Sequence, residues 1–142
     1  MMRRLCVGLF VLTLAKCTDS GVQPQASDPY QRWKSCNLHD YTILQRRGCF
    51  CPDGGVTMRI VVRADTIASV TRALDGSNLP VGVAQHYCTV DSLFAIIRRN
   101  VTDSLVVTYD GTYGYPDTLD INPQLHPVDG GVIYVTSSLS IP

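Results

Sequence analysis

The chain has no net charge, since 12 Lys and Arg residues balance 12 acidic ones. Neither sign gathers into a stripe or a tail. That argues against a nucleic-acid-binding face and against an acidic tail. Charged residues are scarce, at 17%. After residue 16 no apolar run is long enough to span a bilayer. No internal repeat is present, which excludes solenoids and propellers, and no low-complexity stretch is extended. The usual signatures of chemistry are missing as well. There is no G-x-S-x-G, no H-E-x-x-H and no EF-hand pattern. No C-x-x-C occurs, so neither paired zinc spacing nor a thioredoxin-like motif is available.

What is present begins with an export signal. Arg3 and Arg4 form a charged start, and Leu5–Ala15 is an apolar run of eleven residues. That is too short for a membrane span and right for a secretory signal over residues 1–16. Leu14-Ala15-Lys16-Cys17 resembles a bacterial lipobox, in which Cys17 would be lipidated, although Lys16 stands where a small residue belongs. The alternative is ordinary cleavage after Ala15, with Thr13 and Ala15 as the small-x-small pair. Residues 17–27 read as a flexible tether. The remaining chain, 28–142, suits a single domain with a real hydrophobic core.

Asp28-Pro29 is a helix start, and the helix is expected to run to about Leu38. Tyr41–Gln45 is β-prone and is expected to end at Arg46-Arg47-Gly48. Val56–Arg63 alternates as a strand, Ala64-Asp65 is a two-residue connection, and Ile67–Ala73 is its partner. After a polar loop, Thr89 or Asp91 caps a second helix through Arg99. Val90, Leu93, Phe94 and Ile97 form its apolar face. Ser104–Tyr109, Pro116–Ile121 and Val132–Ser138 complete the strands. The order α-β-β-β-α-β-β-β has only short strand connections. It predicts an α+β fold: an antiparallel sheet of about six strands in two meanders, with both helices on one face.

Several short motifs stand in order: Trp33, Asn37-x-x-Asp40-Tyr41, Cys49-Phe50-Cys51-Pro52, Thr89-x-Asp91-x-Leu93-Phe94, and Tyr109-Asp110-x-x-Tyr113-Gly114-Tyr115-Pro116 with Asp120 beyond. Together, over about Tyr30 to Val135, they resemble the bacterial secreted proteins grouped as domain of unknown function 6174. The resemblance implies an exported bacterial protein, often lipid-anchored. It implies no reaction and no cofactor. Lys16 departs from the family's lipobox, and Cys36 and Cys88 lie outside its pattern.

Cys36, Cys49, Cys51 and Cys88 form an even set in an exported domain, which reads as a disulfide framework with three connectivities. Because Cys36 and Cys88 are both additions to the family pattern, they are expected to pair. That bridge would close a loop of about fifty residues, worth roughly 4 kcal/mol on a chain-entropy model. Cys49 and Cys51 would then bridge each other or stay reduced, and crossed pairing is the alternative. Cys49-x-Cys51 also permits a redox couple, or soft-metal binding with Cys36 and His39. A static disulfide outweighs both.

The tyrosine-rich segment offers a candidate binding patch at Tyr109, Asp110, Tyr113 and Tyr115. Its structural alternative is a hairpin turn whose tyrosines pack across the sheet. Asp110, Asp117, Asp120 and Asp129, and His39, His86 and His126, follow no catalytic or calcium pattern. The expectation is a non-enzymatic module of the periplasm or cell envelope that binds an envelope protein or a small ligand. A thiol redox or metal-handling role comes second, and a hydrolase with an unrecognised site last.

Overall fold

The computed structural model describes residues 28–80, 82–128 and 130–142. The export signal, the tether, Cys17 and Asp129 lie outside these residues. Helix α1 spans Pro29–Ser35 and α2 spans Val90–Arg99. The strands are β1 (Tyr41–Gly48), β2 (Thr57–Arg63), β3 (Thr66–Arg72), β4 (Leu105–Tyr109), β5 (Pro116–Ile121) and β6 (Val132–Ser140). Short 3-10 turns occupy Ala84–His86 and Pro123–Val128. Among the described residues no helix is long and apolar enough to cross a membrane.

The fold is α+β, and its element order is the one expected. The sheet order is β3-β2-β1-β6-β5-β4, and every pair is antiparallel. Each meander is local, and the two are joined where the first strand pairs with the last. Arg46 faces Val135 and Gly48 faces Ile133 across that seam. Burial alternates along β1, so Tyr41, Ile43, Gln45 and Arg47 point to the helices and Arg46 to solvent.

The helices cover this one face. Trp33 of α1 is 2% exposed and meets the Tyr41 ring edge-on at 5.4 Å. Leu93 and Phe94 of α2 are buried, and Tyr30 packs edge-on against Phe94 at 5.1 Å. The Thr89 hydroxyl caps α2 by accepting from Ser92 N at 3.1 Å, an arrangement worth about 1 kcal/mol. Arg98 and Arg99 sit in its last turn, where the helix dipole favours cations.

Two boundaries differ from expectation by three residues, and the other strand ends by two at most. Helix α1 stops at Ser35, three residues early, because Asn37 takes a left-handed φ of 49° and turns the chain into β1. Strand β1 does not break at Arg46-Arg47-Gly48. Alternation puts Arg46 in water, and Arg47 finds a carboxylate partner inside, so the strand continues. The β2–β3 connection is the expected two-residue turn. Ala64 and Asp65 both have positive φ, at 46° and 64°, as a tight hairpin of right-handed twist requires.

Candidate functional site

One disulfide-closed loop, the neighbouring Cys88 and a buried polar cluster make the most distinctive region. The β1–β2 connection leaves the sheet at Gly48, runs through Cys49-Phe50-Cys51-Pro52 and returns at Thr57. Cys49 and Cys51 are disulfide-bonded. The bridge turns Phe50 outward, where it is 88% exposed. A shallow hollow of about 350 Å³ is lined by Cys49, Phe50, Cys51 and Pro52.

The loop is braced from beneath. Gly55 N donates to Arg47 O at 2.7 Å, and Gly54 N to Cys51 O at 2.9 Å. Arg47 Nη1 donates to Asp53 Oδ2 at 3.1 Å, and the Tyr87 hydroxyl donates to the same oxygen at 2.8 Å. All three groups are buried, with Asp53 5% exposed. The guanidinium lies 5.8 Å from the ring centres of both Tyr87 and Tyr134. Arg47 Nε is buried and has no hydrogen-bond partner among the described residues.

Burial alone pushes the Asp53 carboxyl up. The Tyr87 hydroxyl and the Arg47 cation outweigh it and hold Asp53 below the ordinary carboxylate range. Burial, and then the Asp53 carboxylate, raise Tyr87 far above the usual phenol. A charged Asp53 accepting from a neutral Tyr87 is therefore the resting state near neutrality. Next along the chain, Cys88 N donates to Gln45 Oε1 at 3.0 Å, and Gln45 Nε2 donates back to Cys88 O and to Thr136 Oγ1, each at 3.2 Å. These bonds satisfy a fully buried amide and fix the strand-to-helix crossing over β1.

The expected Cys36–Cys88 bridge is not formed; both cysteines are free. The two thiols are committed to different places. Cys36 Sγ turns back on Arg32 O of its own helix at 3.3 Å. Cys88 packs beside Leu93, Leu119 and Tyr134, on a backbone held by Gln45. Burial raises its pKa, opposed by Arg47 and a hydrogen bond with Tyr134, so the thiol stays protonated near neutrality. Crossed pairing is excluded by the same arrangement, because Cys49 and Cys51 bond each other.

The tyrosine segment takes its structural form. Tyr115 is 5% exposed, and Tyr109 and Tyr113 pack against the main core. Tyr109 stacks on Phe94 at 6.1 Å. Asp110 Oδ1 accepts from Thr112 N at 3.0 Å and from Tyr113 N at 2.6 Å, which makes it a turn-capping residue. Asp117 takes the Thr108 hydroxyl.

The histidines separate. His126 Nε2 pairs with Asp120 Oδ1 at 2.7 Å, on the β5–β6 connection. His39 Nδ1 pairs with both Asp65 oxygens at 2.8 and 3.0 Å. His39 also lines a hollow of about 310 Å³ with Asn37, Leu38, Asp40, Ile141 and Pro142, at the opposite end of the sheet from Phe50. This His–carboxylate pair resembles part of a hydrolytic triad, but among the described residues no hydroxyl or thiol hydrogen-bonds to His39. Nor does any group of three or more His, Cys, Asp or Glu side chains there hold a metal-binding arrangement.

Sequence reasoning missed Arg47, Asp53 and Tyr87. A signal for Arg47 was available: it shares the parity of Tyr41 and Ile43, and so the core face. Nothing local marked Asp53 or Tyr87 as its partners.

The model of the Family of unknown function (DUF6174) matches residues 25–141, and the chain belongs to that family. No curated protein matches the chain, and no solved structure matches it.

Proposed function

We propose that this DUF6174 member is an exported, non-enzymatic binding module of the bacterial envelope, and that the Cys49–Cys51 loop is its contact surface. The observation that carries this is Phe50: a large aromatic side chain 88% exposed at the tip of a disulfide-closed loop. An apolar group in water costs free energy, and rigidifying a loop lowers the entropy cost of binding. The Arg47–Asp53–Tyr87 cluster supports that rigidity from below. The Arg3-Arg4 start and the apolar run behind it support export.

The test is photocrosslinking in intact cells. A benzophenone amino acid replaces Phe50 in the full chain, with position 141 as the control. Adducts with protein or lipid are expected from position 50 and not from position 141. No adduct at position 50 would overturn the reading.

A second reading is a thiol–disulfide couple. It is favoured by the position of the Cys49–Cys51 bond in a half-exposed surface loop, where a partner's thiol can reach it. Equilibration in glutathione buffers decides it. The couple stands if the pair changes state within the glutathione range, and fails if it stays oxidised under the most reducing buffer.

A further inference from the structure

Along the chain neither sign of charge gathers, but the strand register gathers one. Both helices cover one face of the sheet, and Arg46 of β1 points to the other. Arg46 is opposite Thr57 on β2, and Leu44 is opposite Arg59. Arg46 and Arg59 are therefore diagonal neighbours on adjacent strands, with stems about 7 Å apart. Arg63 has the parity of Arg59 and stands about 13 Å further along β2.

Arg46 and Arg59 are exposed, and among the described residues neither side chain has a hydrogen bond or an ion pair. Strands β3, β2, β1 and β6 are contiguous in the sheet, and none of them contains an acidic residue. Carboxylates stand at the borders of this area, each with a partner. Asp120 of β5 pairs with His126, and Asp117 of β5 takes the Thr108 hydroxyl. In the β2–β3 turn Asp65 pairs with His39, and Asp40 Oδ1 accepts from Ala64 N. Arg63 stands beside that turn, where Asp40 and Asp65 offset its charge. The positive centre is Arg46 with Arg59.

After residue 16, 9 Lys and Arg residues stand against 12 acidic ones. No long-range field therefore draws an anion to the molecule. Attraction is confined to this patch and acts over about 10 Å or less.

The surroundings of the two guanidinium groups select the ligand. Thr57 is opposite Arg46, and Thr71 is opposite Arg59. Each arginine thus has a neighbouring hydroxyl that both donates and accepts. A guanidinium fork matches a carboxylate through two parallel bonds. The aromatic residues of the strands, Tyr41, Tyr109 and Tyr134, all pack on the helix side. A nucleic acid would find no stacking platform on the open face. Both β1 and β2 are paired along each side, so an extended peptide has no free edge to join there. A second copy would set like charges against each other. A chain of sugars bearing carboxylates suits the forks and the hydroxyls together, and it lies on a sheet without needing a pocket.

We propose that the open face of β1 and β2 binds an acidic polysaccharide, with Arg46 and Arg59 holding its carboxylates and Thr57 and Thr71 its hydroxyls. This surface is separate from the Phe50 loop and does not depend on the reading given for that loop.

Calorimetric titration of the full chain with polygalacturonate tests it, with neutral dextran as the control. Polygalacturonate is expected to bind and dextran not to, and the affinity should fall as salt is raised. Arg46→Gln combined with Arg59→Gln is expected to weaken binding about tenfold. Arg98→Gln combined with Arg99→Gln removes the same charge from α2 and should weaken it by about twofold at most. Arg46→Lys with Arg59→Lys keeps the charge, loses the forks and should fall between the two. Trp33, buried and the single tryptophan, reports by its emission that each variant is folded. No binding of polygalacturonate overturns the proposal, and so does equal binding of dextran. Equal losses in the two Gln variants also overturn it, because total charge and not this face would then matter. Poly-aspartate binding as tightly as polygalacturonate would assign the face to an acidic protein instead. A null titration leaves the reading of the Phe50 loop standing, and a failed crosslink at position 50 leaves this proposal standing.

Discussion

Arg47 closes on Asp53, six residues further along, Nη1 to Oδ2 at 3.1 Å, and encloses the Cys49–Cys51 bridge between them. The surface loop is thus clasped twice, covalently at its tip and electrostatically at its buried base. Tyr87, arriving from a distant segment, donates to the same carboxylate oxygen and ties both clasps to the chain that leads into α2.

Removing one partner of a buried pair leaves the other charged and unpaired. Arg47→Met should destabilise the domain by about 3–5 kcal/mol. The double variant Arg47→Met with Asp53→Leu should recover most of that loss, since no charge is then stranded. Urea unfolding followed at the Trp33 emission measures both. A loss below about 1 kcal/mol for Arg47→Met would show that the pair does not support the fold.

Acid should weaken the native state through Asp53. Its folded pKa lies below the unfolded value of about 3.9, so its contribution is fully present above that value and disappears as the pH falls through the folded pKa. The unfolding midpoint of the unmodified chain should therefore drop more steeply below about pH 4 than that of Asp53→Asn. Parallel acid limbs in the two proteins would contradict this.

Gly114 should resist substitution, and Gly111 in the same turn should not. Gly114 has φ of 80°, and a Cβ there would come within 2.5 Å of Pro29 O, forcing α1 away from the β4–β5 turn. Gly114→Ala should cost about 1–3 kcal/mol and alter the near-ultraviolet signal of Trp33. A Cβ on Gly111 meets nothing within 4 Å, so Gly111→Ala should lie within about 0.5 kcal/mol of the parent. Equal effects at the two positions would refute the contact with α1.

Alkylation without reduction should modify Cys36 and Cys88 and leave Cys49 and Cys51 in one bridged peptide. Cys88 should react more slowly than Cys36, because burial holds its thiol protonated. Mass mapping of the peptides reads all four positions. A bridged Cys36–Cys88 peptide would contradict the arrangement of the two thiols.

Much of the fold was legible in local sequence. The alternation of Met58, Ile60 and Val62 marked β2, and the spacing of Val90, Leu93, Phe94 and Ile97 marked α2, because each period reflects which face meets the core. Errors came where a distant partner changed a local rule. Two arginines and a glycine after Gln45 looked like a strand end. Asp53 and Tyr87 made the interior tolerable for Arg47, and β1 continued to Gly48. The paired origin suggested for Cys36 and Cys88 did not survive either, because the Sγ of each is directed by its own neighbours.

The candidate site divides in the same way. The sequence alone marked a break between strands at residues 49–55, through Pro52 and the Asp53-Gly54-Gly55 turn, but left the pairing of Cys49 and Cys51 open. It also determined two meanders with amphipathic helices, through short connections and hydrophobic period. Only the tertiary structure decided that β1 pairs with β6, and with it that four strands without a carboxylate lie side by side. Arg46 and Arg59 are far apart along the chain, and no local pattern links them. Their grouping follows from strand order and register, which are set by hydrogen bonds between distant segments.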